Sequence, residues 1–216
     1  LRVQLGKHGD MALMGHLDLV RLLDRAVRRA GLPIAFTGGF HPGPRISPAN
    51  ALPLGATSSA ELVDFDLTVP LAPTEFHQRL AAQLPADIPI YDVVDVGVST
   101  PAVTRLLERA EYFLLVSVQS EGDSHPLEQS QSQWDEWIQT VLDAREFQAE
   151  HRTKSGKTKV VNLRDRLFEL TQAAPESQAS LARQCRFPAF LHQFLPNTTD
   201  TILRYVGNCQ NDGTLL

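Results

Sequence analysis

Four arginines, Arg21, Arg25, Arg28 and Arg29, stand at i, i+4, i+7 and i+8 in HLDLVRLLDRAVRRAG. On a helix that spacing puts them in one stripe. Guanidinium forks match phosphate oxygens, so the stripe suits a phosphodiester backbone. It also suits an ordinary solvated face. Asp18 and Arg21 are spaced for an ion pair, and Arg28 and Arg29 favour the C-terminal end of the helix dipole. Residues 1–50 carry a net charge of +4 inside a chain of −5. Just after the stripe comes FTGGFHPGPRISPANALPLG, residues 36–55, with four of the fourteen prolines and four of the thirteen glycines. His41 and Arg45 lie in this loop. A loop histidine can act as a general acid or base, or can stack on a nucleobase. No nucleophile or metal-ligand spacing accompanies it, so His41 is a weak catalytic candidate and no metal ligand is assigned.

A second basic stretch covers residues 150–167, with a net charge of +4 from Arg152, Lys154, Lys157, Lys159, Arg164 and Arg166 against Glu150 and Asp165. Cations on a two-stranded ribbon can follow a nucleic-acid backbone. Lysines also protect strand edges from aggregation, and the spacing does not separate these uses. Asp64 and Asp66 share one face of a strand. They can hold a cation, pair with Arg45, or form a solvated row.

The elements that position these residues are set by hydropathy. Residues 1–8 alternate as a strand. Leu19, Val20, Leu23, Ala26, Val27 and Ala30 give one apolar helix face, which Gly31 and Pro33 end. Residues 33–37 are short and extended. The Pro and Gly density of residues 36–55 excludes helix and strand there. Residues 61–69 are a strand, PTEFHQRLAAQL is a helix with Thr74 as N-cap, and residues 88–96 are a strand. The order β-α-β-β-α-β is that of the ferredoxin-like split-βαβ fold. A second copy is expected after residue 108: a strand at 111–119, a helix in SQWDEWIQTVLDA, a hairpin turning at Ser155-Gly156, and a late strand at 202–206. NLRDRLFELTQ reads equally as helix or strand. The expected fold class is therefore α+β: two tandem ferredoxin-like (split βαβ) domains, antiparallel sheets with helices on one face. The domains span 1–100, with the Gly/Pro loop 36–55, and 108–216, with the basic hairpin 150–162.

Within the loop, Gly38-Gly39 permits a sharp turn. Pro42, Pro44, Pro48 and Pro53 stiffen the chain beyond that turn, which lowers the entropy lost on binding. Phe40 is expected to plug the core and anchor the loop, so that Gly39, Phe40, Pro42 and Pro44 form the scaffold that displays His41 and Arg45.

A hydrophobic content of 43% and a charged content of 21% are those of an ordinary globular chain. No apolar run is long enough to span a membrane. Two cysteines, Cys185 and Cys209, form neither a disulfide framework nor a metal cluster. The expected location is the cytoplasm. The first residue is not Met, and NDGTLL reads as a turn leading onward, so a fragment of a larger protein is expected. A P-loop, a Rossmann glycine pattern, an iron–sulfur cysteine motif and the aromatic motif of base-stacking RNA-recognition sheets are all missing from the sequence.

The segment of residues 16–66 resembles the radical-SAM-linked bacterial domain of unknown function, found beside or fused C-terminally to a radical S-adenosylmethionine protein. The matching positions are His16, Leu17, Asp18, Arg21, Arg28, Arg29, Gly39, Phe40, His41, Pro42, Pro44, Leu52, Pro53, Gly55, Glu61 and Asp64. A weaker echo lies in KVVNLRDRL, where Asn162 stands in place of the family's Asp. The resemblance implies a radical SAM partner in cis or trans. That partner or a missing N-terminal part would carry S-adenosylmethionine and the iron–sulfur cluster; this chain would hold no cofactor.

The leading expectation is an accessory module that binds and presents substrate, with structured RNA as the partner molecule. Its contacts would be Arg21, Arg25, Arg28, Arg29, His41, Arg45, Lys154, Lys157 and Lys159. One alternative is a protein-docking domain for the radical SAM barrel, using Ala51-Leu52-Pro53-Leu54. Another is a metal-independent endoribonuclease resembling CRISPR-repeat processing enzymes, which share the tandem fold and a loop histidine.

Overall fold

In the computed structural model the described residues are 1–117, 130–152, 156, 158–173 and 200–209. They fall into two compact units, the first being Leu1–Leu107 and the second beginning at Glu108. Both are α+β, with antiparallel sheets and few helices.

The first unit contains β1 (Arg2–Lys7), a 3₁₀ turn (Gly9–Leu13), α1 (His16–Arg29), β2 (Ile46–Pro48), β3 (Ser58–Phe65), α2 (Pro73–Ala81), β4 (Ile90–Val94) and α3 (Val103–Leu106). The sheet order is β2-β3-β1-β4 and every neighbouring pair is antiparallel. β1 and β2 therefore run parallel on either side of β3. Val3 and Leu5 pair in register with Val63 and Glu61. The pleat sends Val3, Leu5, Val63 and Phe65 to one face. There they meet Leu19, Leu23, Ala26 and Val27 of α1 and Phe76 and Leu80 of α2 in a single buried core. Phe65 and Phe76 pack edge to face with centroids 5.3 Å apart.

α1 ends where its apolar stripe ends. Gly31 takes φ +60°, a left-handed conformation that only glycine adopts without cost. The Arg79 guanidinium, from α2, donates to the Ala30 and Gly31 carbonyls and so satisfies the end of α1.

Two expectations for this unit are corrected. The second strand is Ile46–Pro48, inside the Gly/Pro stretch, and not residues 33–37. It is an edge strand beside β3, where a proline's missing N–H costs no ladder bond. Ile34 and Phe36 make only isolated bridges, to Leu67 and Pro44. The N-cap of α2 is Ala72, not Thr74, because Pro73 already occupies the first helical turn, where its fixed φ fits.

The opposite face of the sheet is covered at one end by α3, where Val103 is 1% exposed. Asp64 holds that segment. Its carboxylate accepts from Arg2 Nε at 2.8 Å, from Arg2 Nη2 at 3.0 Å and from the Val103 N–H at 2.8 Å. Arg2 also donates to the Pro101 carbonyl.

The second unit contains β5 (Arg109–Ser117), α4 (Gln131–Asp143), β6 (Gln148–Arg152), β7 (Thr158–Asn162), a 3₁₀ turn (Leu163–Arg166), β8 (Leu167–Gln172) and β9 (Asp200–Asn208). The sheet order is β5-β9-β8, and β6 and β7 form a separate hairpin. The stretch 162–172 is both things the sequence allowed, a helical turn and then a strand. Asn162 makes the transition. Its Oδ1 accepts from the Phe147 and Arg164 N–H groups, and its Nδ2 donates to Asp165. A neutral amide can both accept and donate, which a carboxylate here could not.

The two units share a topology. In the first, β1, α1, an excursion, β2 and β3 give the order β2-β3-β1; in the second, β5, α4, an excursion, β8 and β9 give β8-β9-β5. In both, the first two sheet strands are parallel and flank the third. The first part of the Gly/Pro loop, residues 36–45, and the β6–β7 hairpin occupy the same topological position, between the helix and the next sheet strand.

Candidate functional site

The Gly/Pro loop is fixed at its base and open at its tip. Thr37 N–H donates to the Gly43 carbonyl at 2.8 Å, and Gly43 N–H donates to Thr37 Oγ1 at 3.0 Å. Below this, the Ala35 N–H bonds the Asp66 carbonyl and the Arg45 N–H bonds the Ala35 carbonyl. Arg45 Nη1 lies 3.5 Å from Asp66 Oδ2, both side chains well exposed. The segment from Gly38 to Pro42 projects beyond these bonds and turns at Gly39, with φ +106°.

Phe40 does not plug the core. It is fully exposed, at 102% of its reference area. The core beneath is already filled by Phe65 and Phe76, and a tip five residues long, closed by Thr37 and Gly43, is too short to return a side chain to it. His41 is exposed beside Phe40, with no hydrogen-bond partner among the described residues. Gly39, Pro42 and Pro44 lie in or beside the tip that carries Phe40 and His41.

α1 meets this loop through Phe36, whose ring lies 5.0 Å below the Arg28 guanidinium carbon. Arg28 Nε also pairs with Asp24 at 2.7 Å, and Arg21 Nη1 with Asp18 at 3.0 Å. Arg29 Nε donates to the Arg25 carbonyl at 3.4 Å, and neither Arg25 nor Arg29 forms an ion pair among the described residues. Of the four arginines, two are partly neutralised along the helix, and two have no ion-pair partner among the described residues. Phe36, Phe40, His41 and the arginine stripe thus belong to one contiguous part of the chain, joined by the Arg28–Phe36 contact.

The remaining candidates are dispersed. Lys159 is exposed on β7 of the second unit, and Lys154 and Lys157 lie outside the described residues. Arg164 is not a free cation: it donates to the Leu142 and Leu167 carbonyls and closes the end of α4. Asp64 and Asp66 do not act together. Asp64 is bound to Arg2 and Val103, and Asp66 to Arg45. Among the described residues no three His, Cys, Asp or Glu side chains converge as a metal site.

Sequence reasoning missed Lys7. It is 1% exposed, and its Nζ donates to the Ala12 carbonyl at 3.1 Å. The same carbonyl accepts the Gly55 N–H at 2.8 Å. One oxygen therefore ties together β1, the 3₁₀ turn and the end of the Gly/Pro loop. Burial pulls the Lys7 amine below its ordinary 10.5, against the attraction of Glu61. Burial pushes the Glu61 carboxyl above its ordinary 4.5, against a hydrogen bond from Ser58 and the charge of Lys7. The signal was present in LRVQLGK, where Lys7 continues the Val3, Leu5 alternation onto the core face. Nearby, His8 Nε2 and the Tyr91 hydroxyl are 2.7 Å apart, and burial pulls the His8 imidazole below 6.5, opposed by Asp87.

Beside Gly55, Leu54 is exposed, as are Leu13 at the end of the 3₁₀ turn and Leu17 in the first turn of α1. Ala51 and Leu52 are half-buried.

No helix among the described residues is long and apolar enough to cross a membrane. No curated protein matches the chain. The model of a bacterial family, described as "uncharacterized protein conserved in bacteria (DUF2344)", matches residues 1–213, and the chain belongs to that family.

Proposed function

We propose that this chain is an RNA-binding module that presents substrate to a radical SAM protein, built on two ferredoxin-like plans. The strand order β2-β3-β1-β4 supports that plan for the first unit. For the second, the order β5-β9-β8 with α4 after β5 supports a β-α-β-β part of it among the described residues. The observation that carries the RNA reading is the pinned loop that lifts Phe40 and His41 into solvent and that meets, through Phe36 under Arg28, the helix carrying Arg25 and Arg29. Exposed rings on a loop joined to an arginine-bearing helix suit the two features RNA offers most generally, base faces and phosphates.

The covered sheet face supports placing RNA on the loop and helix. α3 and the Arg2–Asp64 pair occupy one end of the surface that base-stacking sheet domains use. The β6–β7 hairpin, with Lys159, is a separate cationic contact in this reading. His41 has no described neighbour that would orient it as a general base, which favours binding over cleavage. In this reading S-adenosylmethionine and the cluster belong to the partner.

The test is binding of the purified chain to labelled cellular RNA across a salt series in EDTA, with a gel to score cleavage. Salt-sensitive binding without cleavage is expected. No binding at low salt would overturn the reading.

A second reading, docking onto the radical SAM barrel, is favoured by the exposed leucines Leu13, Leu17 and Leu54. It predicts co-purification with the radical SAM protein that survives high salt and is lost in Leu17→Asp.

A further inference from the structure

Two glycines in the loop are unexplained by the fold. Gly38 and Gly43 lie outside the left-handed region, and a Cβ added at either would meet nothing within 4 Å. Gly39 is different, since its φ of +106° requires glycine. An alanine at 38 or 43 would fit the free protein and would restrict its unfolded chain. What glycine supplies at these two positions is a bare backbone, which lets another molecule come close. Between them stands Phe40, fully exposed.

We infer that the loop tip is a seat for a single unpaired nucleotide, with its base stacked on Phe40 and its sugar-phosphate running against the bare backbone at Gly38 and Gly43. This deepens the RNA reading and rests on it. A base inside a duplex has both faces covered by its neighbours and cannot stack on a side chain. A base in a loop or bulge can. The base of the tip, with Phe36 under Arg28 and Thr37 bonded to Gly43, fixes where the backbone that carries the ring leaves the fold. Arg25 and Arg29 then supply sequence-independent phosphate contacts, while the tip selects unpaired over paired RNA.

The experiment compares two RNAs of equal length and charge, a hairpin with an unpaired loop and a fully paired duplex. Both are titrated into the full chain, wild type and the Phe40→Ala and Gly43→Ala variants. The expected result is tighter binding of the hairpin by wild type. Phe40→Ala should weaken it about 5- to 150-fold, the range for losing one base–aromatic stack, and duplex binding should stay unchanged. Gly43→Ala should weaken hairpin binding at least about tenfold while its unfolding midpoint stays equal or rises, which separates a contact from a folding defect. A 2-aminopurine in the hairpin loop should change its fluorescence on binding to wild type and not to Phe40→Ala. Equal affinity for both RNAs, untouched by either variant, would overturn the nucleotide seat and leave RNA binding standing. If neither RNA binds at low salt, the RNA reading itself fails and the seat fails with it.

Discussion

Asp64→Ala tests the bond network that fixes α3 over the sheet. Asp64 and Arg2 have side-chain exposures of 13% and 15% and form two bonds of 2.8 and 3.0 Å. Truncation leaves the Arg2 guanidinium largely desolvated without its counter-charge. Breaking a buried pair from one side costs about 3–5 kcal/mol. Residual exposure lets some water reach Arg2, which places the pair near the lower end. The Val103 N–H also loses its acceptor in a place where Val103 is 1% exposed, and an orphaned buried donor costs about 1–3 kcal/mol. The two losses share one carboxylate and are not additive, so about 4 kcal/mol is expected. Asp64→Asn keeps an oxygen for Val103 and should cost about half. In the double variant Arg2→Met with Asp64→Leu the stranded charge is gone, and about 1–3 kcal/mol, the cost of the unpaired Val103 N–H, should remain. The two units need not unfold together, so amide exchange of β1, β3 and Val103 in the full chain is the readout. A loss below about 1 kcal/mol for Asp64→Ala, with Val103 still protected, would refute the assignment of Asp64 as the anchor of α3.

Three further outcomes are expected from the geometry. Glu61, with its folded pKa raised, binds its proton more tightly when folded, so its contribution to stability should fall as pH rises from 4.5 through the folded value. Lys7, with its folded pKa lowered, should make stability rise with pH from the folded value up to 10.5. Urea unfolding between about pH 4 and 10 should therefore show both limbs, and a Lys7→Met, Glu61→Gln variant that still shows them would contradict the assignment. Removing Arg25 and Arg29 together should reduce the slope of log affinity against log salt for single-stranded RNA by about 1.4, at about 0.7 per phosphate contact; an unchanged slope means these side chains do not touch phosphate. Arg79→Ala should destabilise the first unit by about 1–3 kcal/mol, because the Ala30 and Gly31 carbonyls lose a charged donor. Exchange at the last turn of α1 that stays as slow as in wild type would show that water replaces it.

Local pattern determined the elements whose cause is local. Leu19, Leu23, Ala26 and Val27 repeat at helical spacing and Gly31 comes next, so both the helix and its end could be read directly. The alternation around Val63 and Phe65 named the core strand, and the Ser155-Gly156 turn named the hairpin, of which Gly156 lies among the described residues. The arginine stripe was equally plain, because charge and period are properties of the chain alone.

Tertiary structure decided the rest. β2 was hidden because Pro48 forbids a central strand and only the sheet reveals that this strand is an edge. Phe40 was misplaced because sequence shows that a ring is apolar, not whether the core has room for it; Phe65 and Phe76 had already filled that space. Asp64 and Asp66 look alike in ELVDFD, yet one is paired with Arg2 across the sheet and the other with Arg45. Burial and partner are relations between distant segments, and they exist only once the chain has closed on itself.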